Sequence, residues 1–106
     1  MTVPVKSLVD SIRSKNAGPF WITIDIFCAS DVIFKRISLE LDTQQVATTL
    51  KQAEHTIKRF DIESLNVIKF SLPRPVVQGH RLDRDMHGAQ WALLIGEIDL
   101  AQKPRR

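Results

Sequence analysis

Cysteine is almost absent from this chain. Cys28 is the only one in 106 residues, so an internal disulfide is excluded. A thiol that follows a strand reads as a small buried residue, and a catalytic one would need an activating base beside it. No apolar run reaches the length that spans a bilayer. The N-terminus lacks the apolar core of a signal peptide, so the expected location is cytoplasmic, without membrane contact. No glycine-rich phosphate loop, nucleophile elbow or metal-protease signature is present. Internal repeats and low-complexity segments are missing as well.

Charge of one sign is also scarce. The net charge is +3, but Lys103, Arg105 and Arg106 supply all of it. The other 12 basic side chains balance the 12 acidic ones. Such a tail is expected to be solvated and disordered over residues 103–106, leaving one domain over residues 1–102. A nucleic-acid binder should carry a basic face interleaved with aromatics. Here the five Phe and two Trp fall mostly on positions that look like core. No nucleic-acid partner is expected.

What is present is organised around Arg13-Ser14-Lys15-Asn16-Ala17-Gly18-Pro19. Val5, Leu8, Val9 and Ile12 recur at helical spacing, which predicts a helix over residues 4–13 with Pro4 in its first turn. Arg13 and Lys15 suit the end of such a helix, and Asn16 or Gly18 could close it in the left-handed conformation. A strand follows over residues 20–27. Phe20, Ile22, Ile24 and Ile26 point one way, and Trp21, Thr23, Asp25 and Phe27 the other. Asp25 either needs a buried cationic partner (Arg13, Lys15 or Arg74) or lies on the open face of an antiparallel sheet.

Ser30 reads as a helix N-cap with Asp31 in the first turn. Val32, Ile33, Phe34, Ile37 and Leu41 make the stripe of a helix that frays near Ser38. Asp42 opens a second helix, with Gln45 placed as in a capping box and Val46, Ala47, Leu50 and Ala53 on its core face. Residues 56–62 and 65–72 read as a hairpin turning at Glu63 and Ser64. Pro73-Arg74-Pro75 ends it, because proline cannot donate to a ladder. A polar connection over residues 78–89 leads to a last strand over residues 90–98, on which Trp91, Leu93 and Ile95 alternate. The pattern predicts an α+β fold, ferredoxin-like, with a mostly antiparallel sheet and helices packed on one face.

Two polar clusters stand outside the core pattern. One is Arg13, Ser14, Lys15, Asn16 and Gly18. The other is Arg74 with Asp83-Arg84-Asp85-Met86-His87-Gly88-Ala89-Gln90. Brought together, the arginines and Lys15 would suit a carboxylate or phosphate, amides near Gly18 and Gly88 would add donors, and Asn16 and Gln90 would fix orientation. Asp83, Asp85 and His87 alternate along the chain, yet three ligands on one loop without a second motif read as solvated side chains. His87 has the intrinsic pKa of a general base and nothing further in its favour. No metal and no cofactor are expected, and no catalytic residue is assigned.

Residues 12–20 with Thr23-Ile24-Asp25-Ile26-Phe27 closely resemble the opening motif of a small family of unknown function, whose members are about this size. Ile68-Lys69-Phe70-Ser71-Leu72-Pro73-Arg74-Pro75-Val76-Val77-Gln78-Gly79 looks like that family's strand and Arg-Pro turn. Residues 83–90 look like its late Asp/Gly-Ala-Gln motif. The chain departs at His87, where the family usually has tyrosine, and at Trp91, where a polar residue is usual. Family members are encoded beside, or fused to, large AtuA-like acyclic terpene utilisation proteins, and share the ferredoxin-like fold of a domain in them. The resemblance implies an AtuA-like partner and a substrate that is an organic acid or its coenzyme A thioester. The residues matching the family's motifs, and so the implied anion-binding set, are Arg13, Ser14, Lys15, Asn16, Gly18, Asp25, Arg74, Asp85, Gly88 and Gln90. The resulting expectation is a small subunit of a heteromeric metabolic enzyme. The alternatives are a stand-alone lyase or isomerase of hydroxy acids using Asp25, Asp85 or His87, and a structural module that forms a homo-oligomer through its sheet edge.

Overall fold

In the computed structural model, residues 2–74 and 90–101 are described. The chain begins with a short strand, β1 (Thr2–Pro4), and a single 3-10 turn over Val5–Ser7. It continues into β2 (Ser11–Asn16) and β3 (Trp21–Phe27). Two helices follow, α1 (Asp31–Glu40) and α2 (Thr43–Leu50). The hairpin β4 (Lys58–Ile62) and β5 (Val67–Pro73) comes next. Helix α3 (Gln90–Gly96) and strand β6 (Asp99–Ala101) end the described chain.

The fold is α+β. A four-stranded antiparallel sheet has the order β2-β3-β5-β4, and β1 pairs with β6 in a second, two-stranded sheet. Strands β3 and β4 both run antiparallel to β5, so they are parallel to each other with β5 inserted between them. That split β-α-β unit is the core of a ferredoxin-like fold. The place beside β3 is taken by β2, its own hairpin partner.

Alternation assigns the two faces of the large sheet. Ile22, Ile24 and Ile26 of β3 and Ile68, Phe70 and Leu72 of β5 are fully buried. They join one core with Phe34 and Ile37 of α1, Val46, Ala47 and Leu50 of α2, and Ile95 of α3. The opposite face carries Trp21, Thr23, Asp25 and Phe27 in line with Val67, Lys69, Ser71 and Pro73. The described helices pack on the first face, and none of them covers the second, which is called the open face below.

The helix expected over residues 4–13 does not form. Val5 is fully buried, and Leu8, Val9 and Ile12 lean on the core, but as a 3-10 turn, a bend and a strand. Six residues of β2 pair with β3, with Ile12 opposite Ile26 and Arg13 opposite Asp25. That ladder outweighs the helical spacing of four apolar residues. Gly18 takes the left-handed conformation (φ +79°), and the turn it bends closes a hairpin rather than a helix. Ala17 N–H donates to Trp21 C=O inside that turn.

The strand expected over residues 90–98 is instead α3, followed by β6. Gln-Trp-Ala-Leu-Leu-Ile-Gly has strong helix formers at its centre. Ile95 is fully buried while Leu93 is 71% exposed, a helical rather than a two-residue pattern.

Elsewhere the signals hold with small shifts. Ser30 caps α1, its Oγ accepting from Ile33 N–H at 3.2 Å, and the helix runs on past Ser38 to Glu40. Asp42 caps α2 by accepting from Gln44 N–H. Gln45 makes no reciprocal box; its amide donates to Asp99 C=O of β6. Ala53 lies outside α2, which stops at a left-handed Lys51 (φ 57°).

Candidate functional site

The strand conformation of β2 divides the expected anion-binding set between two faces. On a helix Arg13 and Asn16 would share a side. On a strand Arg13 and Lys15 point one way, Ser14 and Asn16 the other. Arg13 and Lys15 emerge on the open face, where Arg13 sits opposite Asp25 and Lys15 opposite Thr23. Ser14 and Asn16 turn toward the helices.

There they meet the second cluster. The Arg74 guanidinium donates to Asn16 Oδ1, across 58 residues of sequence. Arg74 N–H donates to Phe20 C=O at 2.8 Å, which carries the β3–β5 ladder past Pro73. Ser14 Oγ accepts from Ala92 N–H in the first turn of α3 at 3.0 Å, satisfying one of the amides that a helix start leaves unpaired. Gln90 opens α3 and is exposed. Asp85 and Gly88 lie outside the described residues, as do Asp83 and His87. The two motif-bearing segments therefore meet at one end of the sheet, around Asn16, Arg74 and Ser14, with Gly18 shaping the adjoining turn.

The open face has its own order, fixed by register. One row across the four strands reads Lys15, Thr23, Ser71, Lys58, and the next reads Arg13, Asp25, Lys69, Phe60. No ion pair among the described residues involves these four cations. Lys58 Nζ stands 5.9 Å from the centre of the Trp21 ring, close enough for a cation–π contact. Thr23 is buried, and its Oγ1 has no hydrogen-bond partner; Asp25 Oδ1 is likewise buried and unpartnered. Asp25 thus lies on the open face, with a carboxylate oxygen enclosed among its neighbours.

Sequence reasoning missed one polar node. Arg59 of β4 donates to Leu41 C=O at 2.5 Å, to Ser38 C=O at 3.0 Å and to Thr43 Oγ1 at 3.2 Å. Its Nε donates to Asp61 Oδ1 at 2.8 Å, and its guanidinium lies 5.6 Å from the centre of the Phe70 ring. Ser38 Oγ completes the cluster by donating to Asp61 Oδ2. Burial alone would raise the Asp61 pKa. Hydrogen bonds from Arg59 and Ser38, with the Arg59 charge, outweigh that and hold it below its ordinary value. The node ties β4 to the end of α1 and the start of α2, so its role is architectural. Its sequence signal is the i, i+2 pair Arg59 and Asp61, which on a strand must share a face.

Cys28 is buried at the end of β3. Burial, reinforced by the Asp61 carboxylate, pushes its thiol up to about 11, which leaves little nucleophilic thiolate at neutral pH. Among the described residues no three His, Cys, Asp or Glu side chains are grouped to hold a metal ion, and no helix is long and apolar enough to cross a membrane. A cavity of 190 Å³ between α3 and the start of β2, lined by Val9, Ile12, Ala92 and Leu93, opens near the exposed Lys6–Glu97 ion pair. It lies at the opposite end of β2 from Asn16.

Neither the curated proteins nor the solved structures contain a match to this chain. The family model described as a domain of unknown function, DUF4387, matches residues 5–98, and the chain belongs to that family.

Proposed function

We propose that this chain is a small subunit or accessory domain of a heteromeric metabolic enzyme whose large component is an AtuA-like protein. In that reading it contributes a basic and polar anion-binding loop to a joint site for an organic acid or its coenzyme A thioester. The observation that carries it is the junction of Arg74 with Asn16. Two polar segments far apart in sequence meet there, beside a glycine turn whose backbone projects from the end of the sheet. Arginine is the side chain whose planar fork best matches a carboxylate or phosphate. A rigid hairpin is also a suitable mount for groups that reach into a neighbour's site.

The test is co-expression with the AtuA-like protein encoded nearest to this chain, read by size and mass. A stable stoichiometric complex is expected, with turnover by the complex and none by this chain alone. Turnover by the isolated chain would replace the subunit reading with that of a stand-alone lyase or isomerase. The Arg74→Gln variant is expected to assemble and lose activity, with Arg13→Gln, on the other face, as the comparison. Full activity in Arg74→Gln would remove that arginine from the site.

A further inference from the structure

The open face of the large sheet carries a pattern that the Arg74–Asn16 junction does not include. Lys15, Thr23, Ser71 and Lys58 form one row in register across β2, β3, β5 and β4. Two ammonium groups stand on the outer strands and two hydroxyls between them. With strands about 4.8 Å apart, the Cα atoms of Lys15 and Lys58 are about 14 Å apart, so two four-carbon arms can converge over the hydroxyls. Thr23 is 8% exposed, and its Oγ1 lacks any hydrogen-bond partner. A buried hydroxyl in that state calls for an acceptor or donor that the described residues do not supply. Two residues back along β3, on the same face, Trp21 is 41% exposed, with Lys58 already over its ring.

We infer that this face is a nucleotide site, with the base stacked on Trp21 and the phosphates held between Lys15 and Lys58 over Thr23 and Ser71. Each part of the row matches one part of such a ligand. Indole stacks on any base, ammonium groups pair with phosphate oxygens, and a hydroxyl donates to them. The spacing suits one nucleotide rather than a running strand. A polynucleotide that continued down the face would meet the Asp25 carboxylate in the next row. There Asp25 is bracketed by Arg13 and Lys69, which leaves that row with less net positive charge. On this face the two central strands carry no aromatic between Trp21 and Phe27. The inference stands independently of the subunit reading, although a coenzyme A thioester would carry such a nucleotide.

The experiment is a titration of the isotopically labelled chain with ADP, followed by NMR. Adenosine, inorganic phosphate and a short oligothymidylate are run in parallel. ADP is expected to shift the Trp21 indole N–H and the amides of Lys15, Lys58, Thr23 and Ser71, more tightly than adenosine or phosphate alone and more weakly as salt is raised. Lys15→Ala and Lys58→Ala, both at exposed positions, should each weaken ADP about tenfold, with unchanged spectra elsewhere showing the fold intact. Trp21→Leu should abolish the difference between ADP and phosphate. No shift with millimolar ADP, or shifts centred away from this row, would overturn the inference. Tight binding of the oligothymidylate without ADP binding would also overturn it, in favour of a single-strand surface. A chain that assembles with its large partner but ignores ADP loses this inference and keeps the subunit reading. One that binds ADP but never assembles does the reverse.

Discussion

Single residues set how this protein answers to pH. The Cys28 thiol, pushed up to about 11, is neutral when folded over a range where an exposed thiol ionises. A folded pKa above the unfolded one stabilises at low pH, and the effect fades as pH rises through the folded value. Stability should therefore fall between about pH 9 and pH 11, and Cys28→Ala should flatten that limb in urea unfolding followed across pH. The native thiol should also be nearly inert to a maleimide at pH 7.5, reacting only after unfolding. Asp61 has the opposite sign. Its folded pKa is held down by Arg59 and Ser38. Its contribution is complete above the ordinary carboxylate pKa and is lost as pH falls through the depressed value. Asp61→Asn should lower stability at neutral pH and reduce the loss on acidification. The burial of Cys28 was legible in the sequence and is what the structure shows. The Arg59–Asp61 node was not, because its partners Ser38 and Leu41 lie about twenty residues away.

Most elements were readable where one period dominated. The buried strands β3 and β5 alternate without interruption, and Ser30 announces α1 by its cap. Of the two misread segments, 90–98 carries apolar residues that satisfy both periods, whereas 4–13 fits the helical one and still does not form a helix. In the first, the core assembled from distant elements accepts Ile95 from one side of a helix; in the second, the adjacent hairpin partner decides, because β3 pairs with β2. The misreading of 4–13 also concealed the arrangement of the candidate site. Its residue types were evident, but the face each one occupies depends on whether Arg13 and Asn16 sit three positions apart on a helix or on a strand. Element ends also offer tests. Lys51 closes α2 at φ 57°, donating its N–H to Ala47 and Thr48 C=O. A left-handed lysine is strained where glycine is not, so Lys51→Gly should stabilise by about 0.5–1 kcal/mol in urea unfolding. Arg59→Ala would strip the last turn of α1 of its donors and leave Asp61 without its cation. The expected cost is about 2–4 kcal/mol, and a conservative Arg59→Lys should recover only part of it, because one ammonium cannot reach all four acceptors.

At the scale of the whole molecule, the ends of the described chain hold each other. Among the described residues strand β1 pairs only with β6, Val3 opposite Leu100, and Val5 N–H donates to Ile98 C=O at 2.9 Å just beyond it. Ile98 and Leu100 are buried, and they belong to the same core as the large sheet. The small sheet therefore acts as a clasp. It fixes where β6 lies, β6 follows directly on α3, and α3 receives Ser14 of β2 at its first turn. The clasp is thereby linked, through α3, to Ser14 beside the Asn16–Arg74 junction. Removing residues 1–4 would take away the partner of β6 without cutting any core side chain from the large sheet. It should cost about 2–3 kcal/mol, the scale of a few lost hydrogen bonds and partly exposed apolar side chains. Hydrogen exchange separates a local clasp from a global one. If the clasp positions α3, the truncated chain should lose protection at Leu100 and through α3 while β3 and β5 keep theirs. Unchanged protection in α3 would show that its packing on β2 and the core holds it without the small sheet.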